Sequence, residues 1–163
     1  MQKIGVLFVS RRNSLRSILA EACLNHVGSH RFRVFSCGQP GQIAGAIHPA
    51  ALGALHSASI PLPVAPLRGW DAFTRSGAPR VDFVITLDET VALAEPRWPG
   101  QPDSAVWPFE DVAALDDPQA AAHAAIQVLY ALRRRLELLV NLPMQGTDRS
   151  ALRSDVRGLR DMH

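Results

Sequence analysis

Ile4 to Val9 is a continuous apolar run, IGVLFV, that stops at Ser10. Val, Ile and Phe without polar alternation mark a strand buried on both faces, as found inside parallel sheets covered by helices. From Ser14 the spacing changes: Leu15, Ile18, Leu19, Ala22 and Val27 recur at helical intervals, with Gly28 placed beyond the end as a C-cap. A buried strand, a short polar loop and a helix in this order commit the chain to an α/β fold.

The alternation continues. Phe32 to Cys37 reads as a second strand closed by Gly38 and Pro40, and His48 to Ser59 as an alanine-rich helix with Pro49 in its first turn. A Pro- and Gly-rich connection spans Pro61 to Pro79. Val81 to Leu87 is a third strand and Ala105 to Trp107 a short fourth, separated by a segment that Pro96, Pro99 and Pro102 break. Asp117 as N-cap and Pro118 open the longest helix, with Ala122, Ile126, Leu129, Leu136 and Val140 on one face and Arg133 to Arg135 as a solvated flank. The expectation is one domain over residues 1–143, a four-stranded parallel sheet with helices on both faces and a ligand site at the carboxyl ends of the strands. Residues 144–163 form a tail without strong periodicity, expected as a short helix or a frayed end.

The 163 residues are 47% hydrophobic, enough for one substantial core. Seventeen basic and fifteen acidic side chains give a net charge of +2, which supplies no field to steer a nucleic acid or an anionic membrane. The arginines between Arg149 and Arg160 are the one weak hint of a nucleic-acid partner. Cys23 and Cys37 are too few for a disulfide framework or a four-thiolate zinc site, and no histidine pair has metal-ligand spacing on a helix, so neither metal nor cofactor is expected. Met1 to Ser10 lacks the features of a secretory signal, and no run approaches the roughly 18 apolar residues of a membrane span. A cytoplasmic protein is therefore expected; nothing specifies its oligomeric state.

The loop Val9-Ser10-Arg11-Arg12-Asn13-Ser14-Leu15-Arg16-Ser17 carries the candidate chemistry. A turn between a buried strand and a helix N-terminus offers unpaired amides and the positive end of the helix dipole to an anion. Arg16 adds a planar fork that can grip two oxygens. The plainer alternative is a polar connection in which Ser14 or Ser17 caps the helix.

Here the chain resembles the low-molecular-weight protein tyrosine phosphatases and the thioredoxin-coupled arsenate reductases that share their fold. Their V-C-x-G-N-x-C-R-S signature matches V-S-R-R-N-S-L-R-S at residues 9–17. The resemblance implies that Ser10 stands at the nucleophile position, Asn13 stabilises the loop, Arg16 binds oxyanion and Ser17 supports the nucleophile. It places Arg11, Arg12, Ser14 and Leu15 in the cradle with them. Ile47-His48-Pro49-Ala50-Ala51 is similar to the H-P-x-A segment, and Val81-Asp82-Phe83-Val84-Ile85-Thr86 to the D-x-V-I-T strand. Trp107-Pro108-Phe109-Glu110-Asp111 is similar to the acid-bearing W-x-x-x-D-P segment, and Leu142-Pro143 to the ending. The implied general acid is Asp111, preferred over Asp117, whose capping role suffices. The implied fold is a flavodoxin-like three-layer domain, and the implied ligand is phosphate, sulfate or arsenate, or a phosphorylated molecule.

The departures fall on the chemistry. Ser10 replaces a thiolate with a hydroxyl that needs an adjacent base, while Arg11, Arg12 and Arg16 are cations. Arg12 stands where the family has glycine, and Val112 where it has proline. Asp88 and Glu95 fall where the reductases carry further thiols, while Cys23 and Cys37 read as packing residues. Because several positions depart together, natural degeneration explains Ser10 better than a laboratory substitution. The expectation is a phosphatase-fold protein with little or no hydrolysis and an oxyanion-binding loop. A working phosphomonoesterase or arsenate-handling enzyme is the alternative, and a structural or nucleic-acid-interacting protein the second.

Overall fold

The computed structural model describes residues 3–142 and 149–161; Pro143 and the start of the expected tail lie outside them. Strands β1 (Ile4–Val9), β2 (Phe32–Cys37), β3 (Phe83–Thr86) and β4 (Asp103–Val106) form one parallel sheet in the order β2-β1-β3-β4. As the apolar run required, β1 is central. Its last residue, Val9, pairs with Cys37 on one side and Thr86 on the other, so the loops after β1, β2 and β3 emerge together. The strand order reverses between β1 and β3, which is where such sheets open a crevice for ligands.

Alternate side chains of the strands feed two cores. Val6, Phe8, Phe32, Ile85 and Ala105 pack under three helices, α1 (Arg16–Gly28), α2 (Pro49–Ser57) and α4 (Pro118–Val140). On the other face Leu7, Val9, Cys37 and Val84 meet Phe73 and Val91. Those two belong to a 3₁₀ turn, Trp70–Phe73, and to the one-turn helix α3, Glu89–Ala92. The layers are thus unequal, with all the long helices of the main core on one side. Both short elements are briefer than the helical period needs to show itself, so the sequence offers no signal for them.

Several boundaries differ from expectation for physical reasons. Helix α1 starts at Arg16 rather than Ser14, because Asn13 adopts a left-handed backbone (φ 53°) and Leu15 a non-helical one (φ −138°, ψ −74°). Neither Ser14 nor Ser17 caps it. Gly28 is inside α1, not beyond it; a Cβ there would lie 2.7 Å from Val140 Cγ2, so glycine lets α1 and α4 approach. β4 begins two residues early, at the polar Asp103, because an edge strand needs little apolar surface. Arg135 is not part of a solvated flank. It is 7% exposed, with its guanidinium over the Phe109 ring at 4.5 Å. The tail takes the helical alternative: α5 spans Arg149–Gly158, a 3₁₀ turn follows at Leu159–Asp161, and Val156 is buried against the main core. Among the described residues no helix is long and apolar enough to cross a membrane.

Candidate functional site: the loop after the first strand

Ser10 follows β1 directly and is 2% exposed. Its Oγ lies 2.7 Å from Ser17 Oγ, which also accepts from Asn13 Nδ2 at 2.9 Å. Asn13 Nδ2 donates a second bond to Ser36 Oγ at 2.9 Å, and Ser36 donates to Glu21 Oε1 at 2.6 Å. On its other side Asn13 Oδ1 accepts from the Arg68 amide at 3.0 Å. One asparagine therefore ties the loop to α1, β2 and the Arg68 segment, and its amide allows the left-handed turn at low cost. Gly38 is required beside it, since a Cβ there would lie 2.8 Å from the Asn13 nitrogen and 2.9 Å from the Arg11 oxygen. The carbonyls of Arg11, Arg12 and Ser14 accept from Gln39, Ala44 and His48, fixing the loop from outside. By contrast, among the described residues no amide from Arg11 to Ile18 donates to a protein acceptor. No acidic side chain occupies the first turn of α1.

Arg16 is 4% exposed and held by backbone carbonyls and carboxylates. Its NH1 donates to Leu87 O at 3.3 Å and Phe109 O at 3.2 Å. Its NH2 lies 2.9 Å from Asp88 Oδ2 and 3.4 Å from Asp111 Oδ1. Of the four hydrogens on the two terminal nitrogens, three are hydrogen-bonded, to Leu87 O, Phe109 O and Asp88 Oδ2, and NH2 meets Asp111 as an ion pair. Arg11, partly exposed, adds a second cation, with NH2 3.6 Å from Asp88 Oδ2, Nε 3.9 Å from Asp111 Oδ2, and a bond to Thr90 Oγ1. Two guanidiniums and two carboxylates make a charge-balanced quartet at the mouth of the loop. Burial would raise the Asp88 pKa, but hydrogen bonds from Thr90 and the Val91 amide, and the charge of Arg16, hold it down at about 2. Asp88 is ionised throughout the neutral range.

The structure brings Ser10, Asn13, Arg16, Ser17 and Asp111 to one end of the sheet. Arg12 is exposed, its backbone is not left-handed, and the special conformation expected there falls on Asn13 instead. Ser14 and Leu15 are buried under the loop, Leu15 in the main core. Val112 is fully buried and starts a 3₁₀ turn, with Ala114 N donating to Asp111 O at 3.1 Å, so packing holds the Asp111 segment without proline. Glu95 accepts from Thr86 Oγ1 and, at 3.1 Å, from Trp98 Nε1; burial raises its pKa against those bonds. Cys23 and Cys37 are free and buried, and burial pushes both thiols up, Cys23 to about 11. Neither is poised as a thiolate. His48 is a cap: its Nδ1 accepts from the Ala50 amide at 3.0 Å.

Two residues escaped the reading of the sequence as site components. Glu21 lies three positions after Ile18, on the apolar stripe of α1, where a carboxylate signals a buried partner; burial raises its pKa, opposed by the Ser36 bond. Asp88 stands in the expected reductase-thiol position, yet its role is to be the counter-ion of Arg16.

The sequence model of the low molecular weight phosphotyrosine protein phosphatase family matches residues 5–136. This chain belongs to that family. Solved structures of the same phosphatase-like fold include an arsenate reductase in a phosphate-binding state (25% identity, 84% of this chain and 96% of that one, TM-score 0.66). An arsenate reductase from Archaeoglobus fulgidus is similar at 23% identity over 84% of this chain and 99% of that one, TM-score 0.64. A YwlE arginine phosphatase variant with a phosphorylated active-site serine is similar at 21% identity over 84% and 93%, TM-score 0.61. No curated protein matches the chain.

Proposed function

We propose that this phosphatase-family protein does not turn over phosphomonoesters efficiently and that its loop at residues 10–17 binds a phosphate-like oxyanion in competition with Asp88. The engagement of Arg16 carries the reading: a family-type oxyanion must take its guanidinium from Asp88 and Asp111, which neutralise it at 2.9 and 3.4 Å. The donors that favour binding are the amides from Arg11 to Ile18, the uncapped start of α1, and the Arg11 guanidinium. Phosphate, sulfate, arsenate and the phosphoryl group of a modified ligand share the tetrahedral oxygens such a cradle suits.

Ser10 argues against turnover. Its hydroxyl bonds to another hydroxyl, and among the described residues no carboxylate or imidazole is in hydrogen-bond contact to take its proton. Attack on a phosphomonoester would form a Ser10 Oγ–P bond and break the bond to the leaving oxygen, which Asp111 in its acid form would protonate. Without a base the first half stalls. Asn13 cannot relay a proton from Ser17 to Glu21, since its amide only donates in that chain.

The test is an aryl phosphate assay with mass analysis of the recovered protein. The expected result is turnover near background and no phosphoryl group on Ser10. Robust turnover abolished by Ser10→Ala would establish a serine-based phosphomonoesterase. Accumulation of phosphorylated Ser10 without turnover would show that a serine captures phosphate here, as in the YwlE variant, and would contradict the stalled first step.

A further inference from the structure

Helix α5 and its following turn lie outside the residues that the family model matches. They pack on the edge strand β4 and on the segment leading to Asp111. Trp107 Nε1, in a fully buried ring, donates to Val156 O at 3.2 Å, and Arg157 Nε donates to Ser104 O at 3.0 Å. Arg135 reaches from α4 to the end of the tail, donating from Nε to Leu159 O at 2.9 Å and from NH2 to Arg160 O at 3.2 Å. The same guanidinium lies over Phe109, whose carbonyl accepts from Arg16. Arg160 pairs with Glu89 at 3.5 Å, next to Asp88 in sequence, although both are too exposed for that pair to count for much.

Apart from that pair, these contacts fall on the chain segment that presents Asp111 to Arg16. Trp107 and Phe109 precede Asp111, and Glu89 follows Asp88. The geometry points to a strap: α5, with Arg135 as its positioning residue, holds the Asp111 segment against Arg16 and so lowers the affinity of the loop for oxyanions. Trp107 is bound by the tail and Phe109 lies under Arg135, which the tail carbonyls hold, while Arg16 meets Phe109 O and Asp111. Loosening α5 frees the Asp111 segment to leave Arg16, and the cation becomes available. The affinity consequence rests on the reading of the loop as an oxyanion site; the mechanical coupling does not.

The experiment compares the full chain with Val156→Ala and Arg135→Met by phosphate titration and by amide hydrogen exchange. Phe109, Ala114 and Leu115 report on the Asp111 segment, since their amides donate to Leu87, Asp111 and Val112. Both variants should speed exchange there and tighten phosphate binding about fivefold, the lower end of ordinary coupling between sites. In an Asp88→Asn, Asp111→Asn background the same changes should leave affinity unchanged, an outcome that general destabilisation would not give. Should Val156→Ala unfold the chain, Arg157→Gln removes only the Ser104 bond and should move exchange in the same direction. Faster exchange confined to α5 overturns the strap, as does an affinity gain that survives in the double-Asn background. If no chain binds phosphate while exchange at residues 109–115 rises, the oxyanion reading fails and the mechanical coupling stands.

Discussion

At the scale of single residues, Asp88 decides how Arg16 behaves. A carboxylate repels a bound dianion by on the order of 4 kcal/mol per unit charge at 4 Å with an effective dielectric of about 20. Replacing it should therefore matter more to chemistry than repairing the nucleophile alone. Ser10→Cys by itself should stay near background with an aryl phosphate; Ser10→Cys with Asp88→Asn should exceed it at least tenfold, and adding Arg12→Gly should change little because Arg12 already points to solvent. Steady-state kinetics of the three variants check this, and full activity from Ser10→Cys alone would refute it. The pH dependence has a definite sign. The folded value of about 2 for Asp88 lies below its ordinary one, so its ionised form stabilises the fold above about pH 4, and that contribution is lost as pH falls towards 2. Glu21 and Glu95, with raised values, act oppositely: their burial penalty is present at neutral pH and is relieved as they protonate. The Tm difference between the chain and Asp88→Asn should thus shrink between pH 5 and pH 2, as calorimetry can show; a constant gap would contradict the Arg16 pairing. Residue identities made Ser10, Asn13, Arg16, Ser17 and Asp111 legible in the sequence. Asp88 was legible as a departure, but not as a partner, because an ion pair spanning 72 positions leaves no local pattern.

At the scale of elements, the loop is shaped by Asn13 and by what it ties together. Asn13→Gly keeps the left-handed backbone accessible and deletes the bonds to Ser17, Ser36 and Arg68. It should cost about 2–3 kcal/mol, from stranded buried hydroxyls. Asn13→Ala should cost more, since it adds backbone strain at φ 53°. Urea unfolding of the two variants separates the terms; equal losses would mean that the backbone contributes nothing. The strand and long-helix elements could be read from periodicity because each buries a continuous face. Arg135 shows where that reading needed more care: it sits between Leu132 and Leu136 on the same stripe, and a buried-face arginine implies a specific acceptor set. Its acceptors are the carbonyls of Leu159 and Arg160, on an element whose own sequence carries no clear apolar repeat. Helix α5 was legible only as one of two alternatives for the tail, since Val156 is the one buried residue among those of the helix whose burial is described, and hydrogen bonds to Trp107 and Ser104 hold it.

At the scale of the whole molecule, the parallel sheet delivers four loops to one edge, and the reversal of strand order between β1 and β3 opens the crevice in which Arg16 meets Asp88 and Asp111. That much was legible in the alternation of strands and helices, which fixes where a site must be but not whether it is open. Occupancy depends on charges brought together by tertiary contacts: Arg11 and Arg16 from the first loop, Asp88 after β3, and Asp111 after β4. On the proposed reading of the loop, the balance of these four charges, rather than the fold, sets affinity for an anion. Calorimetric titration of inorganic phosphate into the chain, Asp88→Asn and Arg16→Ala at low ionic strength is the direct test. Saturable binding by the chain, tightened at least tenfold in Asp88→Asn and lost in Arg16→Ala, is the predicted result; binding by the chain that Asp88→Asn leaves unchanged or weakens, or no binding by either, would contradict it.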